Sequence, residues 1–120
     1  MKDFVKTVVP SEMKNKRIEI DEFISLYNEK KCELIDVRVP FEVAVWQVNF
    51  GLKIPANELP ENLDKLPKDK LLVVACPKAD RSNMAAMYLA SEGFNVKYLA
   101  SGLLDLMEHL KGGNAKELIL

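Results

Sequence analysis

Metal ligands are scarce in this chain. It has two cysteines, Cys32 and Cys76, and one histidine, His109, all widely spaced. Zinc and related centres need clusters of such residues at short intervals, so no resident metal and no cofactor are expected. Long apolar runs are missing too. No stretch approaches the ~18 apolar residues of a membrane-spanning helix, so no membrane partner is expected. The stretch from Met1 to Pro10 is interrupted by Asp3 and is too short and broken for a signal peptide. The expected compartment is the cytoplasm, where Cys32 and Cys76 stay reduced and unbridged. Neither sign of charge is in excess: 17 basic and 18 acidic side chains give a formal charge of -1. That balance argues against nucleic acid as a partner. There is no internal repeat and no low-complexity segment.

What is present fits one globular domain. A length of 120 residues, 48% of them hydrophobic, is enough for a real core. Residues 1–17 read as a polar arm that could run loose, and residues 18–120 as the domain. Ile18-Glu19-Ile20 alternates like a short strand. Phe23, Ile24 and Tyr27 follow at helical spacing, with Asp21 as a cap or first-turn acid. Leu34–Arg38 reads as a buried strand ending in charge. Pro40–Trp46 opens with proline in the place suited to a first helical turn. Gly51–Asn57 holds a strand fragment and a turn, and Glu58–Leu66 one or two helical turns. Leu71–Ala75 is the most apolar strand. Ser82–Ser91 is a helix that Gly93 stops, Val96–Leu99 a strand, and Leu103–Leu110 a helix that Gly112-Gly113 stops. Strands alternating with helices, with a central strand apolar on both faces, predict an α/β fold with a parallel sheet covered on both sides. Ligands of such sheets bind at the strands' carboxyl ends. Asp36-Val37-Arg38 and Cys76 both fall at such ends, though the sequence does not make them neighbours.

Cys76 is the residue that points to chemistry. It follows the Leu71–Ala75 strand, and the polar segment Pro77-Lys78-Ala79-Asp80-Arg81-Ser82 leads into the next helix. Unpaired N–H groups at a helix start favour negative charge, and the thiolate is the reactive form of cysteine. The alternative for Cys76 is an inert thiol packed in the core. The alternative for Arg81 is a helix-surface residue, and Asp36 and Arg38 could equally be a structural brace. Cys32 reads as a packed residue, His109 as a surface or capping residue, and Trp46 and Phe50 as core or as the mouth of a pocket.

Asp36-Val37-Arg38, the Ile54-Pro55 pair, the Leu59–Pro67 turn, Val73–Cys76 with Arg81-Ser82, Gly93-Phe94 and Ser101-Gly102 occur here in one order. In that order they resemble the single-domain rhodanese-like proteins, over roughly residues 18–111. The resemblance implies a central five-stranded parallel sheet flanked by helices on both faces. It also implies transfer of sulfane sulfur through a persulfide on Cys76. Four residues separate Cys76 from Arg81, a C-x4-R loop. The related dual-specificity phosphatases carry C-x5-R, a wider ring suited to phosphate, so the tighter loop favours sulfur transfer.

The loop also departs from the family pattern. Pro77 stands where a basic residue is commoner and removes one N–H donor. Ala79 stands where a glycine is commoner, and a loop with alanine there resembles that of polysulfide-binding bacterial sulfurtransferases; Asp80 offsets Lys78 and Arg81. These departures leave the choice between thiosulfate and polysulfide as donor open. In the implied mechanism Pro77, Lys78, Ala79, Asp80, Arg81 and Ser82 form the binding loop. Its N–H groups from Lys78 to Ser82 hold anionic sulfur, and Lys78 and Arg81 attract an anionic donor. Asp36 and Arg38 support it. The implied partners are a small anionic sulfur donor and a protein or small-thiol acceptor, with the chain a monomer or homodimer. Two other functions stand beside this one: a non-catalytic interaction or sulfur-sensing module, and, less favoured by the loop length, a phosphatase or arsenate reductase.

Overall fold

The computed structural model describes residues 2–120. In chain order the elements are α1 (Lys2–Val5), α2 (Pro10–Met13), β1 (Arg17–Ile18), α3 (Ile20–Asn28), β2 (Cys32–Asp36) and α4 (Pro40–Val45). Then come β3 (Leu52–Lys53), β4 (Leu71–Ala75), α5 (Asp80–Ser91), β5 (Val96–Leu99) and α6 (Gly102–Leu110). Five parallel strands form one sheet in the order β1-β5-β4-β2-β3. The chain is therefore an α/β domain with an all-parallel sheet, and the most apolar strand, β4, is its centre.

Alternation along the strands divides the core in two. Leu34, Val73, Ala75 and Leu99 pack with Phe23 and Ile24 of α3 and Leu103, Leu106 and Leu110 of α6. Ile35, Leu72, Val74, Cys76 and Tyr98 pack with Ala85, Ala86 and Leu89 of α5 and with Leu59 and Leu66. The parity that sends Leu72 and Val74 toward α5 carries Cys76 to the same side. The paired register sets Asp36 opposite Ala75. The Val37 N–H donates to the Ala75 carbonyl at 3.0 Å. The carboxyl ends of β2 and β4, which the sequence left unconnected, are thus neighbours.

Several boundaries differ from the sequence reading. Ile20 opens α3 instead of closing a strand, because β1 pairs with β5 over only two residues. Asp21 is a first-turn acid, and Glu19 holds the cap position. Arg38 lies beyond β2, and Trp46 beyond α4. The turns expected at Glu58–Leu66 are 3-10 segments, Ala56–Glu61 and Leu63–Lys65, with Pro60 inside the first. A further 3-10 segment, Gly112–Glu117, begins at the glycine pair itself. It leads into a C-terminal tail held on α3, where the Asn28 amide donates to Glu117 O and accepts from the Ile119 N–H, each at 2.8 Å. The lead-in carries α1 and α2, and α1 lies against α5 instead of running loose. As expected, Gly93 ends α5 with φ of +92°, a conformation that other residues adopt at a cost.

Cys32 packs at the start of β2, buried, with its thiol 3.9 Å from the Phe23 carbonyl. Burial first, and the neighbouring Glu33 carboxylate second, push its pKa up to about 12. At pH 8 only about one Cys32 in ten thousand is a thiolate. In a Cys76→Ser protein, folded Cys32 is expected to resist alkylation at pH 8 and to react fully once unfolded. Labelling of the folded protein within minutes would contradict this.

Candidate active site

Cys76 leaves the end of β4 fully buried, at 0% exposure. Its sulfur sits at the start of α5, where the Ser82 N–H donates to Sγ at 3.4 Å. The thiol in turn points at two oxygens, Ser82 Oγ at 3.4 Å and Asp80 Oδ1 at 3.8 Å. The Ser82 hydroxyl also donates to Ala79 O at 3.2 Å. The helix begins at Asp80, two residues earlier than the sequence suggests, with Ala79 in the cap position. Asp80 and Arg81 are therefore first-turn helical residues, and a free N–H of that turn reaches the sulfur. The sequence reading assigned this role to the N–H groups from Lys78 to Ser82; the one that reaches Sγ among the described residues is Ser82's. Lys78 and Asp80 are exposed at the mouth, while Pro77 and Ala79 are half-buried.

The loop is anchored by a second helix that the sequence reading did not connect to it. Orphan N–H groups at the start of α6 find their acceptors in the loop. Leu103 donates to Cys76 O at 2.8 Å and Leu104 to Pro77 O at 3.2 Å. This close approach needs Gly102, which has φ of +82°. A Cβ built there would collide with the carbonyl oxygens of Pro77 and Lys78 and lie 2.6 Å from Lys78 Cα. The visible signal was a Ser-Gly pair at a predicted helix start.

Asp36 and Arg38 form a buried ion pair with both side chains at 0% exposure. Arg38 Nη2 donates to Asp36 Oδ2 at 2.8 Å, and its Nε lies 3.1 and 3.2 Å from the two carboxylate oxygens. The guanidinium lies 3.9 Å from the Trp46 ring, and Nη1 donates to the Trp46 carbonyl at 3.1 Å. The pair thus ties the end of β2 to the end of α4.

That tether positions a residue absent from the sequence reading, Glu42. Glu42 is the third residue of α4, and its Oε1 accepts the Val39 N–H at 3.2 Å, half of a capping box. Both terminal nitrogens of Arg81 donate to Glu42, Nη1 to Oε1 at 2.6 Å and Nη2 to Oε2 at 2.8 Å. The bond to Arg81 lowers the Glu42 pKa to about 2, and the same bond raises that of Arg81. With its folded pKa below the unfolded value, Glu42 lends stability that is present at neutral pH and lost as pH falls toward 2. Arg81 is 41% exposed, so solvent screening holds that contribution to about 1 kcal/mol or less. The sequence signal was an acid three residues after the Val39-Pro40 helix start. His109 lies at the surface, 3.0 Å from Glu117. No three His, Cys, Asp or Glu side chains among the described residues are grouped to hold a metal ion. None of the described helices is long and apolar enough to cross a membrane.

The family model described as rhodanese-like domain matches residues 19–109. A sulfurtransferase of Allochromatium vinosum is 31% identical over 77 residues, 63% of this chain and 72% of the relative. A putative sulfurtransferase of Bacillus subtilis is 33% identical over 100 residues, 83% of this chain and 88% of the relative. The crystal structure of a rhodanese-related protein from Thermoplasma volcanium matches with a TM-score of 0.68 at 30% identity. It covers 78% of this chain and 92% of that one.

Proposed function

The chain belongs to the rhodanese-like domain family, and from that premise we propose that it is a sulfurtransferase carrying sulfane sulfur as a persulfide on Cys76. The observation that carries this reading is the cysteine at the end of the central strand with a helix-start N–H, that of Ser82, on its sulfur. The thiolate of Cys76 attacks the outer sulfur of a donor. A Cys76–sulfur bond forms, the donor's S–S bond breaks, and the electron pair leaves with the donor remainder. An acceptor nucleophile, cyanide or the thiolate of a small thiol or a partner protein, then takes the outer sulfur and restores Cys76. One difficult exchange becomes two easier displacements. Ser82 steadies the anionic sulfur through its N–H, and α6 fixes the loop carbonyls behind it.

The complete burial of Cys76 favours a second reading, an interaction or sulfur-sensing module. Asp80 Oδ1 lies 3.8 Å from Sγ at the mouth. Thiocyanate formation from cyanide, with thiosulfate or polysulfide supplied separately, distinguishes the two. The transferase reading expects product with at least one donor and a loss of ~1000-fold or more in Cys76→Ser, the scale of removing a covalent nucleophile. Wild-type rates equal to those of the variant with every donor would leave the module reading standing.

A further inference from the structure

The charges around the sulfur cancel in pairs. Arg38 is committed to Asp36 and the Trp46 carbonyl in the interior. Arg81 is committed to Glu42 through both terminal nitrogens. Asp80 brings a carboxylate oxygen to 3.8 Å from Sγ, with Lys78 exposed nearby. A dianionic donor arriving at this mouth meets the Asp80 carboxylate beside the Lys78 ammonium, and an arginine already occupied. Glu42 is built to keep that arginine occupied. Its carboxylate is fixed by the Val39 N–H on one side and Arg81 on the other, and α4 beneath it is pinned by Arg38 to Trp46.

We propose that Glu42 is a positioning residue that sets donor selectivity: it occupies both terminal nitrogens of Arg81 and, with Asp80, tunes the site against doubly charged donors. This rests on the reading of Cys76 as the sulfur carrier. The Glu42 carboxyl, held down to about 2 by Arg81, stays ionised across the working pH range, so the latch is always set. Beside Arg81 lies a groove of about 350 Å³ lined largely by apolar side chains, among them Leu59, Pro60, Met84, Ala85 and Tyr88. It suits a donor that carries an organic group in place of a second charge.

Two donors isolate the charge. Thiosulfate is a dianion and benzenethiosulfonate a monoanion; each gives its outer sulfur to the Cys76 thiolate, releasing sulfite or benzenesulfinate. The readout is the ratio of their loading rate constants on the full chain, followed by intact mass. In Glu42→Gln the thiosulfate-to-benzenethiosulfonate ratio is expected to rise about fivefold or more, the size of one unit-charge contact screened by water. Adding Arg81→Met to Glu42→Gln returns the ratio toward that of the wild type, because the gain comes from a freed arginine. Asp80→Asn, which leaves the latch intact, raises the ratio on its own by removing the charge beside Sγ. A structural role alone would lower both rate constants together; an unchanged ratio in Glu42→Gln, or a gain that survives Arg81→Met, overturns the latch. If wild type takes sulfur from neither of these donors but is loaded by polysulfide, the latch fails; if polysulfide also leaves it unmodified, the carrier reading itself fails.

Discussion

Gly102→Ala is expected to reduce sulfur transfer by at least ~100-fold while Cys76 and its loop residues stay unchanged in sequence. A new Cβ meets the carbonyl oxygens of Pro77 and Lys78 and the Cα of Lys78, all of them backbone atoms that cannot swing away. The left-handed backbone at φ of +82° adds about 1–2 kcal/mol of strain for any L side chain. Either α6 or the loop must retreat. Both hydrogen bonds from the α6 start, to Cys76 O and Pro77 O, then lengthen together. A displacement of 1 Å at a reacting centre is enough for a ~100-fold loss. Paired measurements of thiocyanate formation and thermal unfolding test this. A variant with full activity would show that the α6 contact does not position the loop.

Removing one partner of the interior pair is expected to have the largest effect on stability. Arg38→Met leaves Asp36 buried at 0% exposure without its counter-ion. Breaking such a pair costs about 3–5 kcal/mol. For a domain of this size that lowers Tm by more than about 10 °C. The double replacement Asp36→Leu, Arg38→Met removes both charges, and it is expected to be less destabilised than Arg38→Met alone, because no unpaired charge remains. Equal stability of the single variant and the wild type would mean that water reaches Asp36.

These two sites show how far the sequence could be read. Leu71–Ala75 and Val96–Leu99 match β4 and β5 residue for residue. Leu71–Ala75 is an apolar run and Val96–Leu99 is apolar but for Lys97, and both are bounded by polar or glycine-containing segments. The start of α5 was less visible, because Asp80 and Arg81 have the polarity of a loop although they form a helical first turn. Cys76 is only four residues from Asp80 and six from Ser82, so their proximity is nearly local. The partners of Arg81 and of the Cys76 and Pro77 carbonyls are different in kind. Glu42 lies 39 residues before Arg81, and only the adjacency of β2 and β4 brings them together. Gly102 looked like a helix-start glycine, and only the packed structure reveals the loop backbone against it. Asp36 and Arg38, read as a charged strand end, are wholly interior, because each satisfies the other and Trp46 covers the guanidinium.

The central claim is that Cys76 accepts and carries one sulfur atom. Intact mass spectrometry after incubation with thiosulfate, and separately with polysulfide, tests it most directly. Wild type is expected to gain about 32 Da, one sulfur atom as a persulfide, and to lose it on addition of cyanide. Cys76→Ser is expected to gain nothing under the same conditions. An unmodified wild-type mass with both donors, or an equal gain in Cys76→Ser, would contradict the account.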